Sequence, residues 1–416
     1  MPKRKRSPQK ITEVPTKSSK MYSIFEKNIP KKINGTWYCD DKIWVYSYLD
    51  VKASKKIAGF DLDHTIIKPI GGDVHPKHDN DWEFFFDNIV TKFKELKDEG
   101  FKIVIFTNQK AISSKRKTHI NLKKRIENIM EKINIPLQVF ISTGHPKFRK
   151  PSRGMWDLLC NEYNDDICVD LSDSFYVGDG AGRLDGPSPL RKDFTDSDKL
   201  FSLNIGIDFK TPEEFFKKMK YKGAYYDVLF NPKNLFNISS PLLIPENSKI
   251  TSDEKEILVL VGIMGSGKSF FVTKYLNIDN YHVINDSKKL KSNIFQNPVT
   301  AIEEILNSGK NIVVDEENLE KLTRKFWIDI AKKLKINIRC FYFDLYIYHC
   351  CHNIAYKQII GECKYDPTTK SQVKRSQKML EPPIYEEGFK DIIKVNFHPH
   401  FENKEYANIY KSYLPL

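Results

Sequence analysis

Residues Gly262-Ile263-Met264-Gly265-Ser266-Gly267-Lys268-Ser269 fit the pattern GxxxxGK[ST], and no other stretch restricts the fold of this chain so strongly. The loop follows an apolar run, Ile257–Val261, and precedes a helical stretch, Phe270–Leu276. Glycines let a backbone wrap around phosphate, and the free amides of a helix start point toward anions. Lys268 is placed to reach the β- and γ-phosphates of a nucleotide, and Ser269 to bind Mg²⁺. Gly262, Gly265, Ser266, Gly267, Lys268 and Ser269 are therefore the expected ATP-binding residues. Further apolar runs at His282–Asn285, Asn311–Val314 and Ile338–Asp344 read as companion strands. Asp286 ends one of them, where a carboxylate takes the proton of an attacking hydroxyl or caps a helix before Ser287. Arg324, on the helix after Asp315, reads either as a clamp on transferring phosphate or as an ordinary surface arginine.

A second constellation lies upstream. Gly59-Phe60-Asp61-Leu62-Asp63-His64-Thr65 closes the apolar run Ile57–Leu62. Side chains alternate along a strand, so Asp61 and Asp63 share a face. In a parallel sheet that position is the carboxyl edge, where ligands bind. Two carboxylates there suit a Mg²⁺ ion with a nucleophile that becomes an aspartyl-phosphate and a partner that moves the proton. The bland alternative is an acidic strand end capping a turn. Three features oppose it. Phe106-Thr107-Asn108-Gln109 ends the strand Phe101–Phe106 with groups for phosphate oxygen. Arg149-Lys150-Pro151 follows the strand Val139–Ser142 with a cation, and Val177-Gly178-Asp179-Gly180 ends the strand Phe175–Val177 with a further Mg²⁺ ligand. The intervening stretches Ile89–Asp98 and Leu122–Lys132 read as helices, and strand-helix alternation predicts an α/β fold with parallel sheets.

A chain of 416 residues is long for one core, and the two motif blocks give two three-layer α/β domains. The expected divisions are a disordered basic tail over 1–34, a first domain over 35–230, a Pro-, Ser- and Asn-rich linker over 231–255 and a second domain over 256–416. Lys and Arg number 67 against 54 Asp and Glu, a net charge of +13, which favours polyanionic partners. Lys3-Arg4-Lys5-Arg6 is either a nuclear import signal or a basic tail. Seven Cys with no CxxC pair read as free thiols. The run His349-Cys350-Cys351-His352 cannot converge on one ion if it is helical, because neighbours point in different directions. No apolar run approaches the roughly 20 residues of a membrane span.

The ordered set Asp61/Asp63, Thr107, Lys150 and Asp179 resembles the haloacid-dehalogenase phosphohydrolases. With the P-loop behind it, the chain resembles the polynucleotide kinase 3′-phosphatases over residues 35 to 400. Gly154-Met155-Trp156-Asp157, Thr211-Pro212-Glu213-Glu214-Phe215-Phe216, Glu381-Pro382-Pro383 and Glu387-Gly388-Phe389 carry that likeness beyond the minimal motifs. The resemblance implies an enzyme of DNA ends that hydrolyses 3′-phosphates and phosphorylates 5′-hydroxyls with ATP and Mg²⁺. It implies a monomer in the nucleus, with the mitochondrion as a further compartment, working at nicks, gaps and double-strand breaks with strand-break repair proteins and without a membrane. It assigns catalysis to Asp61, Asp63 and Asp286, and phosphate binding to Thr107, Asn108, Lys150 and Arg324. It assigns metal to Asp61, Asp63, Asp179 and Ser269. Arg149, Lys115, Arg116 and Lys117 are expected on the DNA backbone. The departures are His64, where the family usually has Gly, and Asn285, Glu316, Glu317, Ala355 and Lys357 around the P-loop. Added negative charge beside bound phosphate is unfavourable, and the alternative reading is a phosphatase whose second half is a nucleotide- or DNA-binding platform.

Overall fold

Parallel strands buried on both faces favour apolar residues, and the two central strands of this chain are apolar but for Glu256, which is paired with Arg339. The computed structural model describes residues 34–73, 76–109, 116–184, 192–225, 227–237, 239–276, 279–285, 297–364, 366 and 369–415, without the side chains of 116–120 and 237. The expectations for the basic cluster Lys3–Arg6, for Lys115 and for Asp286 lie outside the described residues, as do those for the side chains of Arg116 and Lys117.

The first sheet contains β1 (Gly35–Cys39), β2 (Ile43–Tyr48), β3 (Ile57–Phe60), β6 (Lys102–Asn108), β7 (Leu137–Ser142), β8 (Phe175–Val177) and β9 (Asp208–Lys210), and β4 (Ile67–Lys68) with β5 (Glu83–Phe84) forms a separate ribbon. Its order is β1-β2-β7-β6-β3-β8-β9. From β7 to β9 the neighbours run parallel, and the β1–β2 hairpin adds an antiparallel edge. Successive aromatic side chains seal opposite faces. Phe60 packs on Phe93 of the helix Ile89–Asp98 with ring centres 4.7 Å apart, and Phe106 packs on Phe201 of the helix Ser197–Ile205 at 5.5 Å. The chain leaves β3 toward β6 and β7 on one side and returns to β8 and β9 on the other, so a crevice opens at the carboxyl ends of β3 and β8.

The second sheet contains β10 (Leu243–Ile244), β11 (Glu256–Val261), β12 (Tyr281–Ile284), β13 (Asn311–Val314), β14 (Asn337–Tyr342) and β15 (Asp391–Val395), in the order β10-β15-β14-β11-β13-β12. All neighbours are parallel except β10 with β15. The stretch expected as a linker therefore contributes to this sheet: β10 pairs Leu243 with Val395, after a 3₁₀ turn over Pro232–Asn237. A two-residue strand flanked by prolines gives no period to read, which is why composition alone suggested a linker. No helix among the described residues is long and apolar enough to cross a membrane.

Candidate active sites

Asp61 stands at the carboxyl end of β3, with its amide bonded to the Val177 carbonyl at 2.8 Å. Lys150 meets it there. The Lys150 Nζ lies 2.5 Å from Asp61 Oδ1 and 2.7 Å from Asp198 Oδ1, and donates to the Tyr176 hydroxyl at 2.8 Å. Asn108 aims this lysine by gripping its backbone: Oδ1 accepts from the Lys150 amide at 2.9 Å and Nδ2 donates to its carbonyl at 3.2 Å. Asn108 thus positions the lysine, and its second amide hydrogen remains for the phosphate contact expected of it. The Lys150-Pro151 peptide is cis.

Asp179 follows β8, its amide accepted by the Thr65 hydroxyl at 3.1 Å. Carboxylate oxygens of Asp61, Asp179 and Asp198 lie within 4.8 Å of one another. Burial pushes the Asp61 carboxyl up to about 7, with Lys150 opposing and Asp198 adding to the rise. Burial, then Asp61 and Asp198, lift Asp179 well above the carboxylate range. Burial alone would lower Lys150, but Asp198 and Asp61 outweigh it and raise the ammonium. All three shifts have one source: three carboxylates share one ammonium in a site withdrawn from water. The cluster carries more negative charge than Lys150 neutralises, and its all-oxygen donors fit a magnesium ion.

Asp198 was missed by sequence reading, and Asp63 was expected in its place among the metal ligands. The Asp63 carboxylate instead accepts from Gln109 Nε2 at 2.6 Å, while the same amide donates to the Thr107 hydroxyl at 3.0 Å. Asp63 is thus joined to Thr107 through the Gln109 amide, and its carboxylate is not one of the three-carboxylate group. A signal for Asp198 existed. It occupies the apolar stripe of its helix with Phe201, Ser202 and Ile205, and a carboxylate on a buried stripe needs a partner. The partners are Lys150 and the Gly180 amide, 2.8 Å from Asp198 Oδ2. Asp61, Asp63, His64, Thr107, Arg149, Lys150 and Asp179 line one cleft of about 360 Å³. His64 sits there with φ of 59°, in the left-handed region that favours glycine.

The P-loop spans β11 and the helix Lys268–Tyr275. Gly265 and Gly267 take φ of 83° and 98°, and a Cβ on Gly265 would stand 2.6 Å from the Cys350 carbonyl. The Lys268 ammonium donates to the carbonyls of Gly262 at 2.7 Å and Ile263 at 3.1 Å, and burial lowers its pKa against the fields of Glu317 and Asp315. Asp315, not foreseen from the sequence, follows β13 and accepts from the Ser269 hydroxyl, so it adds a second oxygen donor beside the one expected for a P-loop Mg²⁺. Burial raises the Asp315 carboxyl. Glu317 holds the loop in place, its carbonyl accepting from the Gly262 amide at 3.1 Å. Asn318, at φ of 47°, donates to the Leu260 carbonyl at 2.7 Å.

Arg324 is neither a phosphate clamp nor a surface residue. It is 0% exposed. Its Nε and one terminal nitrogen grip both oxygens of Glu387 at 2.7 Å, and the other terminal nitrogen serves the carbonyls of Asn318, Leu319 and Glu381. The guanidinium is a strut between the helix Lys321–Leu334 and the segment Glu381–Glu387, which explains why those acidic residues accompany it. His349 and His352 share one helix, Ile347–Ile360, and both ring Nε2 atoms turn to Tyr410, at 3.0 Å from its hydroxyl and 2.9 Å from its carbonyl. Ala355 is buried on that helix, and Lys357 pairs with Glu362 at 3.5 Å.

A family model described as polynucleotide kinase 3 phosphatase matches residues 56–216. A bifunctional polynucleotide phosphatase/kinase of Schizosaccharomyces pombe is 33% identical over 407 residues, spanning 95% of this chain and 95% of that protein. A polynucleotide 3′-phosphatase of Arabidopsis thaliana is 36% identical over 181 residues, 39% of this chain and 24% of its own length. A polynucleotide 3′-phosphatase of Saccharomyces cerevisiae is 26% identical over 215 residues, 38% of this chain and 87% of its own length.

Proposed function

The chain belongs to the bifunctional polynucleotide phosphatase/kinase family, and from that membership we propose how its two sites divide the work. It removes 3′-phosphates from polynucleotide ends and phosphorylates 5′-hydroxyl ends with ATP. The first activity belongs to residues 35–230 and the second to the sheet that starts at β10. The observation that carries the first assignment is the Asp61–Asp179–Asp198 group around Lys150.

In the phosphatase reaction an Asp61 oxygen bonds to phosphorus as the bond from phosphorus to the 3′-oxygen breaks. Asp63 gives its proton to the departing 3′-oxygen. Water then attacks the aspartyl-phosphate, Asp63 takes the proton of that water, and inorganic phosphate leaves with Asp61 restored. Lys150 and Thr107 hold phosphoryl oxygens, and Gln109 orients Asp63. A magnesium ion held by Asp61, Asp179 and Asp198 would supply positive charge to the phosphoryl group. In the kinase site Lys268 and the loop amides bind the nucleotide phosphates, Ser269 and Asp315 suit magnesium, and Asp286 takes the proton of the 5′-hydroxyl. DNA at nicks, gaps and double-strand breaks is the proposed substrate, with Arg149, Lys115, Arg116 and Lys117 on its backbone. The basic cluster Lys3–Arg6 supports a nuclear location.

One nicked DNA with a 3′-phosphate and a 5′-hydroxyl tests both assignments. The parent is expected to lose the 3′-phosphate and, with ATP, gain a 5′-phosphate. Asp61→Ala is expected to stop only the first and Lys268→Ala only the second. Normal phosphate release by Asp61→Ala would show that the phosphatase site is misplaced.

A further inference from the structure

The cleft over Asp61 is not built by the first sheet alone. Tyr413, Leu414 and Pro415, which follow the helix Lys404–Lys411 of the second half, form part of its wall. Tyr413 and Leu414 are buried. Their position is set from the phosphatase side, by Asn204 in the helix Ser197–Ile205 that carries Asp198. Asn204 Oδ1 accepts from the Tyr413 amide at 2.9 Å, and Nδ2 donates to the Tyr413 carbonyl at 2.8 Å. The same Nδ2 donates to the Pro151 carbonyl at 2.8 Å, one residue past Lys150. A side-chain amide that satisfies both backbone groups of one residue fixes its height and distance, as a sheet bridge does. One side chain thus joins the segment to the helix of Asp198 and to the turn of Lys150.

The same cleft is lined by Phe194, 74% exposed. A large aromatic left in water at the mouth of a charged site is informative, because burial is its ordinary state. The cleft holds carboxylate and ammonium groups, and its lining also includes the exposed ring of Phe194 and the half-buried ring of Pro415, which Leu414 backs from beneath the surface. Apolar surface contributes nothing to holding phosphate. It suits the face of a nucleobase and the carbon skeleton of a sugar.

We propose that the segment Tyr413–Pro415 is a specificity element of the phosphatase site, forming with Phe194 an apolar rim that seats the nucleoside bearing the 3′-phosphate. The inference rests on the phosphatase reading above and deepens it. The second half of the chain supplies substrate binding to a reaction whose chemistry lies in the first. The rim residues do not touch the reacting atoms, so their effect is on binding and not on the chemical step.

The test uses full-length protein with Leu414→Ala, Pro415→Gly or Phe194→Ala. For each, kcat and KM are measured on a 3′-phosphorylated oligonucleotide and on p-nitrophenyl phosphate, with 5′-kinase activity of the same sample reporting that the second half is folded. Pro415→Gly removes the ring of a half-buried residue, so it guards against a Leu414→Ala protein that fails to fold. Loss of one base-stacking surface corresponds to a rise in oligonucleotide KM of about tenfold. That rise is expected with kcat and the small-ester kcat/KM changed less than twofold. Equal losses on both substrates would overturn the proposal, because the segment would then act only by holding the Lys150 turn. Unchanged oligonucleotide KM in all three variants would overturn it as well. A parent that cleaves p-nitrophenyl phosphate but not the 3′-phosphate would instead remove the phosphatase reading, and the rim with it.

Discussion

The two sites sit at corresponding places, each at the carboxyl end of a central parallel strand, yet they are held in different ways. At the end of β3 the reactive groups are locked to one another: Lys150 bridges Asp61 and Asp198, and Asn108 fixes the lysine's own backbone. At the end of β11 the binding group is locked to the backbone, with the Lys268 ammonium on two carbonyls of its own loop. The first arrangement is a network of charges from two strand ends, a turn and a helix that must all be present. The second is a local loop whose geometry comes from two left-handed glycines. A charge network concentrates sensitivity in side chains, while a loop spreads it over amides that mutation cannot remove.

The sharpest break of that comparison is Lys150→Met. It leaves three buried carboxylates without their cation, and loss of a group that works as part of a unit costs on the order of 10⁴-fold in rate. Phosphatase activity should fall by that much while 5′-kinase activity stays within twofold, measured on the two ends of one nick. Lys268→Ala removes a single cation from a site that keeps its amides, so the kinase should lose only about 10²- to 10³-fold. A kinase loss as large as the phosphatase loss would mean that the P-loop is as interdependent as the carboxylate cluster.

Arg324 sharpens the comparison from the side of stability. Removing one partner of a buried ion pair costs about 3–5 kcal/mol, because the other charge is left buried alone. Arg324→Ala should therefore destabilise the second sheet by that amount, read by denaturant unfolding, with Glu387 as the stranded charge. An Arg324→Ala protein of unchanged stability but lost kinase activity would restore the phosphate-clamp reading.

How far the two halves were legible follows the same division. The P-loop could be read because eight consecutive residues encode both loop and cation. Asp61 and Asp179 could be read because each closes an apolar run, and Lys150 because it follows one in the order of the motif set. Asp198 could not, since it ends no strand and its role depends on a helix crossing back over the sheet. Arg324 was misread because a charged residue after a strand looks the same in sequence whether it faces phosphate or Glu387. The small edge strands β1 and β10 escaped notice because edges carry little of the hydrophobic period. The outer strand β1 has no buried residue, and β10 is two residues long.

Acidity should separate the halves with opposite signs. Burial lowers His349 to about 3, with His352 adding to the fall, and lowers His352 to about 4. Tyr410 donates its hydroxyl to Asn353 Oδ1 at 2.5 Å, so its oxygen accepts from His349, and a carbonyl faces His352; both imidazoles are neutral with the proton on Nε2. The stability of keeping them neutral is complete above their ordinary value of 6.5 and is lost as pH falls through about 4 and about 3. The loss is on the order of 3 kcal/mol for His352 and of 5 kcal/mol for His349. Asp61, raised to about 7 from 3.8, behaves in reverse: its contribution is present at low pH and lost as pH rises through about 7. In chelated protein, amide protection along the helix Ile347–Ile360, corrected for the pH dependence of intrinsic exchange, should fall between pH 6.5 and 4, whereas protection in β3 should rise on acidification from pH 8 to 6. Added Mg²⁺ should slow β3 exchange at pH 8 and leave the helix unchanged. Parallel responses in both halves would show that the carboxylate cluster is not short of positive charge.

The smallest expected effect concerns His64. A non-glycine residue in the left-handed region costs about 1–2 kcal/mol, and glycine there relieves that strain but gives back about 0.5–1 kcal/mol in unfolded-chain freedom. His64→Gly should therefore raise stability by no more than about 1 kcal/mol, seen as a small increase in the unfolding midpoint. The backbone around it is already fixed, because the His64 amide donates to the Ile67 carbonyl at 2.7 Å and Asp63 bridges Ile67. Asp63 is oriented by Gln109, not by its neighbour, so phosphatase kcat should stay within threefold. A drop beyond tenfold, restored by His64→Gln but not by glycine, would give the imidazole a part in holding the substrate. The chemistry at the end of β3 would then depend on one more side chain than the carboxylates, Lys150, Thr107 and Gln109.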